Sequence, residues 1–542
     1  MSSIIRLFWI LFICSFLGCG SSSAVTVDTG DALDSEITTP STVSLSLSTA
    51  TIFEITSRNV QLGSDIDGEV AGDGLGESVS LSSDGQVIAV GGVGNDDGGT
   101  DAGYVSVYTW SGTAWVQRGD DINGASAGEW FGRSNSLSDD GTILAVGAHS
   151  NDTIGINAGT TRVYHWNGTS WVQRGSDIGG EAAGDLSGFT VALSGDGTIL
   201  AISAPFNDGS GTDLGHIRVY HWNGTTWVQR GLDIDGEATS DSLGYGLSLS
   251  NDGETLAAGA PFNDGAASSA GHARVYDWNG TAWIQRGLDL DGTTAVDWFG
   301  HIVSLSNDGD TLAVGVPFDD GLAEDAGTVR IYDWSGTAWV QRGDDIDGEA
   351  AGDLSYSVSI SSDGDTVLIG ALANDGSGED AGHARAYTWS GTAWTQRATD
   401  IDGESVGDSS GLAVSISDNG AIMAIGATSN DGAGNNAGHV RVYQYESLSS
   451  QSVLTATLNT AATGNVVITI TPTGTATGAG DDYTLSSTTI TIPQGQTTGT
   501  VTITGISDLE SDNNETVILT LSSVTGAVTS ETQQVTITID EG

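Results

Sequence analysis

The chain has 542 residues, and its 15 basic side chains, all arginine, face 70 Asp plus Glu, for a formal charge of −55. Such a polyanion repels phosphate backbones and anionic lipid, which excludes nucleic acid and the membrane surface as partners of its body. With 79 glycines, 6 prolines and abundant Thr, Val and Ser, the composition predicts many short strands joined by tight turns, in a chain too long for one ordinary core.

Residues 1–18 read as an export signal, in which Arg6 precedes an apolar run from Leu7 that is too short to span a bilayer and ends at Phe16-Leu17-Gly18-Cys19. Residues 19–42 are rich in Gly, Ser, Thr and Asp and read as a solvated tether. Residues 43–55 hold one alternating run, from Val43-Ser44-Leu45-Ser46-Leu47-Ser48 to Phe53-Glu54, with the period of a single strand.

Residues 56–446 repeat one unit. Its turn glycines fall at Gly85, Gly141, Gly197, Gly253, Gly309, Gly364 and Gly420, a period of 56 residues with one deletion in the sixth copy. Tryptophans keep the same beat, from Trp110 and Trp115 to Trp389 and Trp394. Each copy predicts four short strands, in the first copy around Val79–Ser82, Val87–Gly91, Tyr104–Trp110 and Ala114–Arg118. A unit of this size cannot bury both faces alone, so the copies must stack, and seven four-stranded units suit a closed β-propeller. The seventh copy stops at Tyr445 without its fourth strand, while Asn59-Val60-Gln61-Leu62-Gly63 matches that strand and lacks a unit of its own. That segment is expected to complete the last blade and close the ring.

Hairpin parity puts the tight Asp-Gly and Asn-Gly turns on one face and the long acidic loops, such as 205–215 and 233–244, on the other. The loop face is the candidate binding surface. Twelve arginines occupy two repeated slots and read as structural partners of repeated carboxylates. The series Asp73, Glu129, Asp185, Asp241, Asp297, Asp353 and Asp408 could ring the channel mouth and hold cations, or each could cap a turn. Function is sought where the repeat breaks: Trp130 and Trp298 stand in two copies alone, and Arg133, His149 and His301 have no counterparts. Trp130, Arg133, Trp298, His301, Glu129 and Asp297 are therefore the ligand-face candidates, with stacking of a sugar on Trp or a wedge between blades as the alternatives.

Three resemblances follow from these residues. Phe131-Gly132, Phe299-Gly300 and Gly259-Ala260-Pro261 resemble the FG-GAP repeat of integrin-type propellers, although only an Asp-Gly turn stands where those repeats carry a calcium loop. The stretch 447–542, with Gly480-Asp481-Asp482-Tyr483 and the closing Val535–Gly542 run, resembles a Calx-β domain. This implies an immunoglobulin-like sandwich whose first strand is the 43–55 run, with the propeller inserted after it. The resemblance implies calcium held by Glu54, Asp482, Asp508 and Asp540. The signal resembles that of a bacterial lipoprotein, which implies lipidation at Cys19, with cleavage by the general signal peptidase or an uncleaved anchor as alternatives.

No nucleophile elbow, paired zinc histidines or phosphate-cradling loop occurs, and most histidines sit in repeated slots, so a non-enzyme is expected. The expectation is an all-β, monomeric, lipid-anchored module on the outer membrane or cell surface, facing outward and recognising protein or glycan through the acidic loop face. The alternatives are an enzyme on extracellular polysaccharide, which would need unpaired carboxylates of raised pKa beside Trp130 or Trp298, and a structural envelope protein.

Overall fold

The computed structural model describes residues 41–53, 57–209, 211–448, 450–476, 482–506, 515–529 and 533–540; Cys19, Glu54 and Asp508 lie outside them. Every regular element among the described residues is a strand. No helix there is long and apolar enough to cross a membrane.

The second repeat illustrates the unit. Ser134–Leu137, Ile143–Ala148, Thr160–Trp166 and Trp171–Gln173 form an antiparallel meander, and the short Ile178–Gly179 pairs with the outer half-turn of the third strand. Its first turn is held by side chains: the Ser138 hydroxyl donates to Asp140 at 2.9 Å and accepts from the Ile143 N–H, while Asp140 accepts from the Thr142 N–H. Gly141 sits at φ 62°, and a Cβ there would stand 2.7 Å from Cβ of Val87 in the preceding unit. Backbone torsion and close approach both demand glycine, which is why this residue keeps the period. The second strand is buried along nearly its whole length, as a strand packed on both faces must be.

Seven such sheets stand in the described residues. Their first strands touch in succession around an axis, each meeting the next and the last, Ala413–Ile416, meeting Leu75–Leu81 of the first. Main-chain bonds of 2.8–3.1 Å trace the same circle through the turns: Ser83 N–H donates to Asp139, Asp139 to Gly195, Gly195 to Asn251, Asn251 to Asn307, Asn307 to Ser362, Ser362 to Asp418, and Asp418 back to Ser83. These are the sheets of a β-propeller. At the seam Ser57–Gln61 runs antiparallel to His439–Ser447, with Val60 opposite Gln444 and Leu62 N–H donating to Val442 O at 2.7 Å.

An arginine fastens neighbours on the outside at six of the seven blade boundaries, Leu62 standing in its place beside Trp115. The Arg174 carbonyl accepts from the Trp227 indole N–H at 2.9 Å, while its guanidinium donates to Gly197 O at 2.9 Å and lies 4.8 Å over the Trp222 ring. The same indole-to-carbonyl bond recurs from Trp115, Trp171, Trp283, Trp339 and Trp394. A planar cation that both stacks and donates suits this slot, whereas an ammonium could do only part of it.

The remaining strands make two facing sheets. Val43–Leu47, Gln451–Leu458, Thr498–Gly505 and Tyr483–Leu485 form one; Thr51–Phe53, Gln534–Asp540, Glu515–Thr525, Val466–Gly474 and Thr489–Ile492 form the other. Leu454, Ile468, Ile490, Ile503, Leu519 and Ile537 fill the space between them, each fully buried. The run before the propeller thus shares a core with the run after it, Val43 lying opposite Leu458.

The clamp generates a test. Trp227→Ala should lower the propeller's unfolding free energy by about 3 kcal/mol, the low end for a tryptophan because the ring is only partly buried. Trp227→Phe keeps most of the area and loses the hydrogen bond, at about 1 kcal/mol. Denaturant melts of the two variants against wild type check the order.

Candidate axial binding site

The residue following the position that opens each first strand, glycine in six copies and Ser355 in the sixth, points to the axis and is the least repetitive position in the unit. It is Glu77, Arg133, Phe189, Tyr245, His301, Tyr356 and Leu412 in order. All seven line one cavity of about 180 Å³, together with Ser78, Ser134, Asn135, Thr190 and Ser357. Pockets for drug-sized ligands run to roughly 300–1,000 Å³, so this one has room for a single ring.

Its wall is a chain of contacting rings. Phe189 meets Tyr245 at 4.8 Å, Tyr245 meets His301 at 4.9 Å, and His301 meets Tyr356 at 4.5 Å. Arg133 closes the remaining arc: its guanidinium lies 5.1 Å over the Phe189 ring and its Nε is 3.3 Å from Glu77. Trp298 stacks on His301 at 6.1 Å with 20° between planes, and Trp130 packs edge-on to His149, which meets Phe189 in turn. Both tryptophans sit at positive φ, 53° for Trp130 and 61° for Trp298. The other copies carry Gly74, Leu186, Ser242, Leu354 and Ser409 there in the same conformation. The left-handed backbone is therefore part of the framework, and the two indoles are additions to it.

Polar atoms around this pocket are left without partners. Both ring nitrogens of His301, Nδ1 of His149 and Oδ1 of Asn135 are buried with no hydrogen bond of acceptable geometry. Leaving a buried donor or acceptor unmade costs about 1–3 kcal/mol; framework residues such as His216, His383 and His439 carry unbonded nitrogens too, so it is the place of His301 and Asn135 in the cavity wall that makes them candidate ligand contacts. Burial lowers the pKa of His301 to about 4, helped by Arg133 and partly offset by the Tyr356 backbone. Burial, again with Arg133, lowers that of His149 to about 3. Both imidazoles are neutral at physiological pH. Tyr245 and Tyr356 are shifted upward by burial and remain phenols.

The other candidates separate by environment. Glu129 is 1% exposed and accepts from Arg162 Nη1 at 3.0 Å, from Asn151 and from the Ala125 N–H. Despite burial, the Arg162 partner holds its carboxyl low, and it serves as a turn cap with a counter-ion. Asp73, Asp185, Asp241, Asp353 and Asp408 cap the same turn through main-chain N–H groups, and an Asn on the next loop donates to four of them. Asp297 differs, because Asp319 stands where that Asn would be. Burial and the Asp319 charge raise its carboxyl, directly beside Trp298. Arg330 donates to Asp319 at 3.0 Å. In the sandwich, Asp482 is 3% exposed and Asp540 ends the Gln534–Asp540 strand.

Sequence reasoning found Arg133, His149, His301 and both tryptophans as breaks in the repeat, and assigned them to the loop face. The structure gathers Arg133 and His301 at the axis. It adds Glu77, Phe189, Tyr245 and Tyr356, whose available signal was variation immediately after the strand-opening position, and Asn135, which replaces a repeated Val or Leu.

No family model and no curated protein matches the chain. Among solved structures it is similar to the hydrazine synthase of Kuenenia stuttgartiensis, at 12% identity and TM-score 0.44 over 67% of this chain and 93% of that one. It is similar to a candidate 6-phosphogluconolactonase of Bacteroides uniformis, at 11% and 0.42 over 61% and 85%. It is similar to the periplasmic gluconolactonase of Pseudomonas aeruginosa, at 14% and 0.42 over 60% and 85%. The expectation of a non-enzyme is corrected here: these three similar structures all bear the names of enzymes, at a likeness that shows the fold alone. The physical reason is that a propeller assembles a site from separate blades, where no linear motif records it.

The histidines set a pH test. In the unfolded chain they titrate near 6.5, and in the fold His301 and His149 titrate at about 4 and about 3. Acid therefore protonates the unfolded state first, and their contribution, complete above 6.5, is lost as pH falls toward 4. The melting temperature should drop across that window, and the double variant His149→Gln, His301→Gln should flatten the drop.

Proposed function

We propose that this chain is an exported, lipid-anchored protein that acts on extracellular polysaccharide, receiving one acidic sugar unit in the axial pocket. In this reading a seven-bladed FG-GAP-type ring is inserted in a Calx-β-type sandwich, Cys19 carries the lipid, and calcium braces the sandwich through Asp482, Asp540 and the residues Glu54 and Asp508. The chain works as a monomer at the outer membrane or cell surface.

The observation that carries the reading is the axial ring of seven different side chains on an otherwise repetitive frame. Apolar faces of Phe189, Tyr245 and Tyr356 suit the flat side of a pyranose. Arg133 selects its charge: of 15 cations, it alone among the described residues combines a position outside the repeated slots with a place at the cavity. In a molecule of charge −55, a cation held at the axis is a specific device for an anion. The carboxyl of Asp297 beside Trp298, raised by burial and the Asp319 charge and hydrogen-bonded to Thr294, is compatible with an enzyme.

Recognition of protein or glycan without turnover is favoured by a different observation, the exposed apolar side chains Val70, Ile154, Ile156, Val296, Leu322 and Val406 on the acidic loops.

Binding to arrays of acidic and neutral oligosaccharides, with assay of released reducing ends, tests the choice. Acidic sugars should bind, and Arg133→Ala should weaken them about tenfold or more, the value of a lost charged hydrogen bond. Binding that ignores Arg133 and is lost with Ile154→Ser and Ile156→Ser would favour the loop face. Chelator should lower the sandwich's melting temperature and leave the propeller's in place.

A further inference from the structure

We propose that the axial pocket cleaves a uronate-containing glycan by β-elimination, with Arg133 and Asn135 receiving the sugar carboxylate, His301 taking the C5 proton and Tyr356 protonating the departing oxygen. This rests on the reading of the pocket as the site for an acidic sugar unit.

The residues present argue for elimination over hydrolysis. Glycoside hydrolysis ordinarily employs two carboxyl groups flanking the bond. Only one carboxylate, Glu77, lines the cavity, and it is paired with Arg133. What the pocket does hold is a set suited to removing a proton beside a carboxylate. Arg133 meets Glu77 through Nε, and its Nη groups can donate to the sugar carboxylate, which makes the adjacent carbon more acidic and stabilises the charge that develops on it. Asn135 adds an amide at the same wall: one Nδ2 hydrogen goes to Ser78 at 2.6 Å, which leaves the second to donate to the carboxylate. Asn135 stands where the other blades carry Val or Leu, at Val79, Val191, Leu247, Val303, Val358 and Val414, so no packing requirement of the frame accounts for it.

His301 is a base ready to act. It is 5% exposed, neutral, and clasped between Trp298, Tyr245 and Tyr356; the Tyr356 backbone can hold one ring nitrogen, which leaves the other for the substrate. A base fixed in this way and dried by aromatic walls needs no reorganisation before it reacts. Tyr356, in ring contact with it, is a protonated phenol.

The step balances. The C5–H pair becomes the second bond between C4 and C5 as the proton passes to a His301 nitrogen. The bond from C4 to the glycosidic oxygen breaks, and that oxygen takes the Tyr356 proton. No water is consumed and no electron is exchanged, and return of the proton from His301 to Tyr356 restores the site. The products are a saturated chain end and an unsaturated uronate.

The experiment uses the full chain with polygalacturonate, polymannuronate, polyguluronate and a glucuronate polymer, following ultraviolet absorbance of the conjugated product beside a reducing-end assay and binding. Absorbance should rise on at least one polymer, and His301→Gln should cut the rate about 10²–10⁴-fold, the usual span for a general base, with binding and melting temperature retained. Tyr356→Phe, which removes one oxygen, provides the same test should the histidine variant not fold. Reducing ends without new absorbance, or binding without cleavage, would overturn elimination while leaving the acidic-sugar pocket in place. Absence of binding to all four polymers would overturn both. Full activity in His301→Gln would overturn the assignment of the base.

Discussion

The circle of main-chain hydrogen bonds through the inner turns is the constraint on which the rest of the molecule depends. No repeat can bury two sheet faces by itself, and each borrows its neighbour to do so, which means an open row would leave two apolar faces in water. The bond from Asp418 to Ser83 joins the ends. Once the circle is shut, seven equivalent positions are forced to converge on one axis, and convergence is what turns scattered single residues into a cavity. Arg133 and His301 are 168 positions apart in the chain yet line the same pocket.

Frame and site divide the charges between them. The repeated arginines face outward or between blades, where their guanidinium groups meet indoles, turn carbonyls and carboxylates in every unit. Carboxylates of the turn-capping series are likewise consumed by the frame, as Glu129 is by Arg162. The axis keeps what the frame does not use: one guanidinium, one carboxylate, two phenols and an imidazole. Repetition thus marks stability and its interruption marks chemistry, at Asp319 and Asn135 as much as at the tryptophans.

Much of the fold was legible because turns leave residue-specific traces. The turn glycines announce themselves at Gly85, Gly141 and their successors, where both torsion and the neighbouring blade forbid a side chain. The orphan Asn59–Gly63 segment signalled a strand that must find its partner elsewhere, and the structure lays it against His439–Ser447. The short Ile178–Gly179 type of strand escaped notice, since two residues carry no periodicity. The site was half legible. Arg133 and His301 stood out as exceptions, but their direction depends on the inclination of the innermost strand, which pattern alone does not give. Phe189, Tyr245 and Tyr356 looked like ordinary strand aromatics until closure brought them face to face.

The exclusive use of arginine, and its capture at blade boundaries, bears on how the chain resists proteolysis and amine chemistry. A lysine-free chain presents no side-chain amine for glycation or aldehyde cross-linking. Proteases that cut after basic residues find Arg162, Arg218, Arg274, Arg385 and Arg441 buried, and the stacked set held beneath indole rings. The same clamps that hold the wheel together also cover most of its cleavage points, which leaves the seam at Arg58, 37% exposed, as the first place among the described residues that a trypsin-like protease would meet.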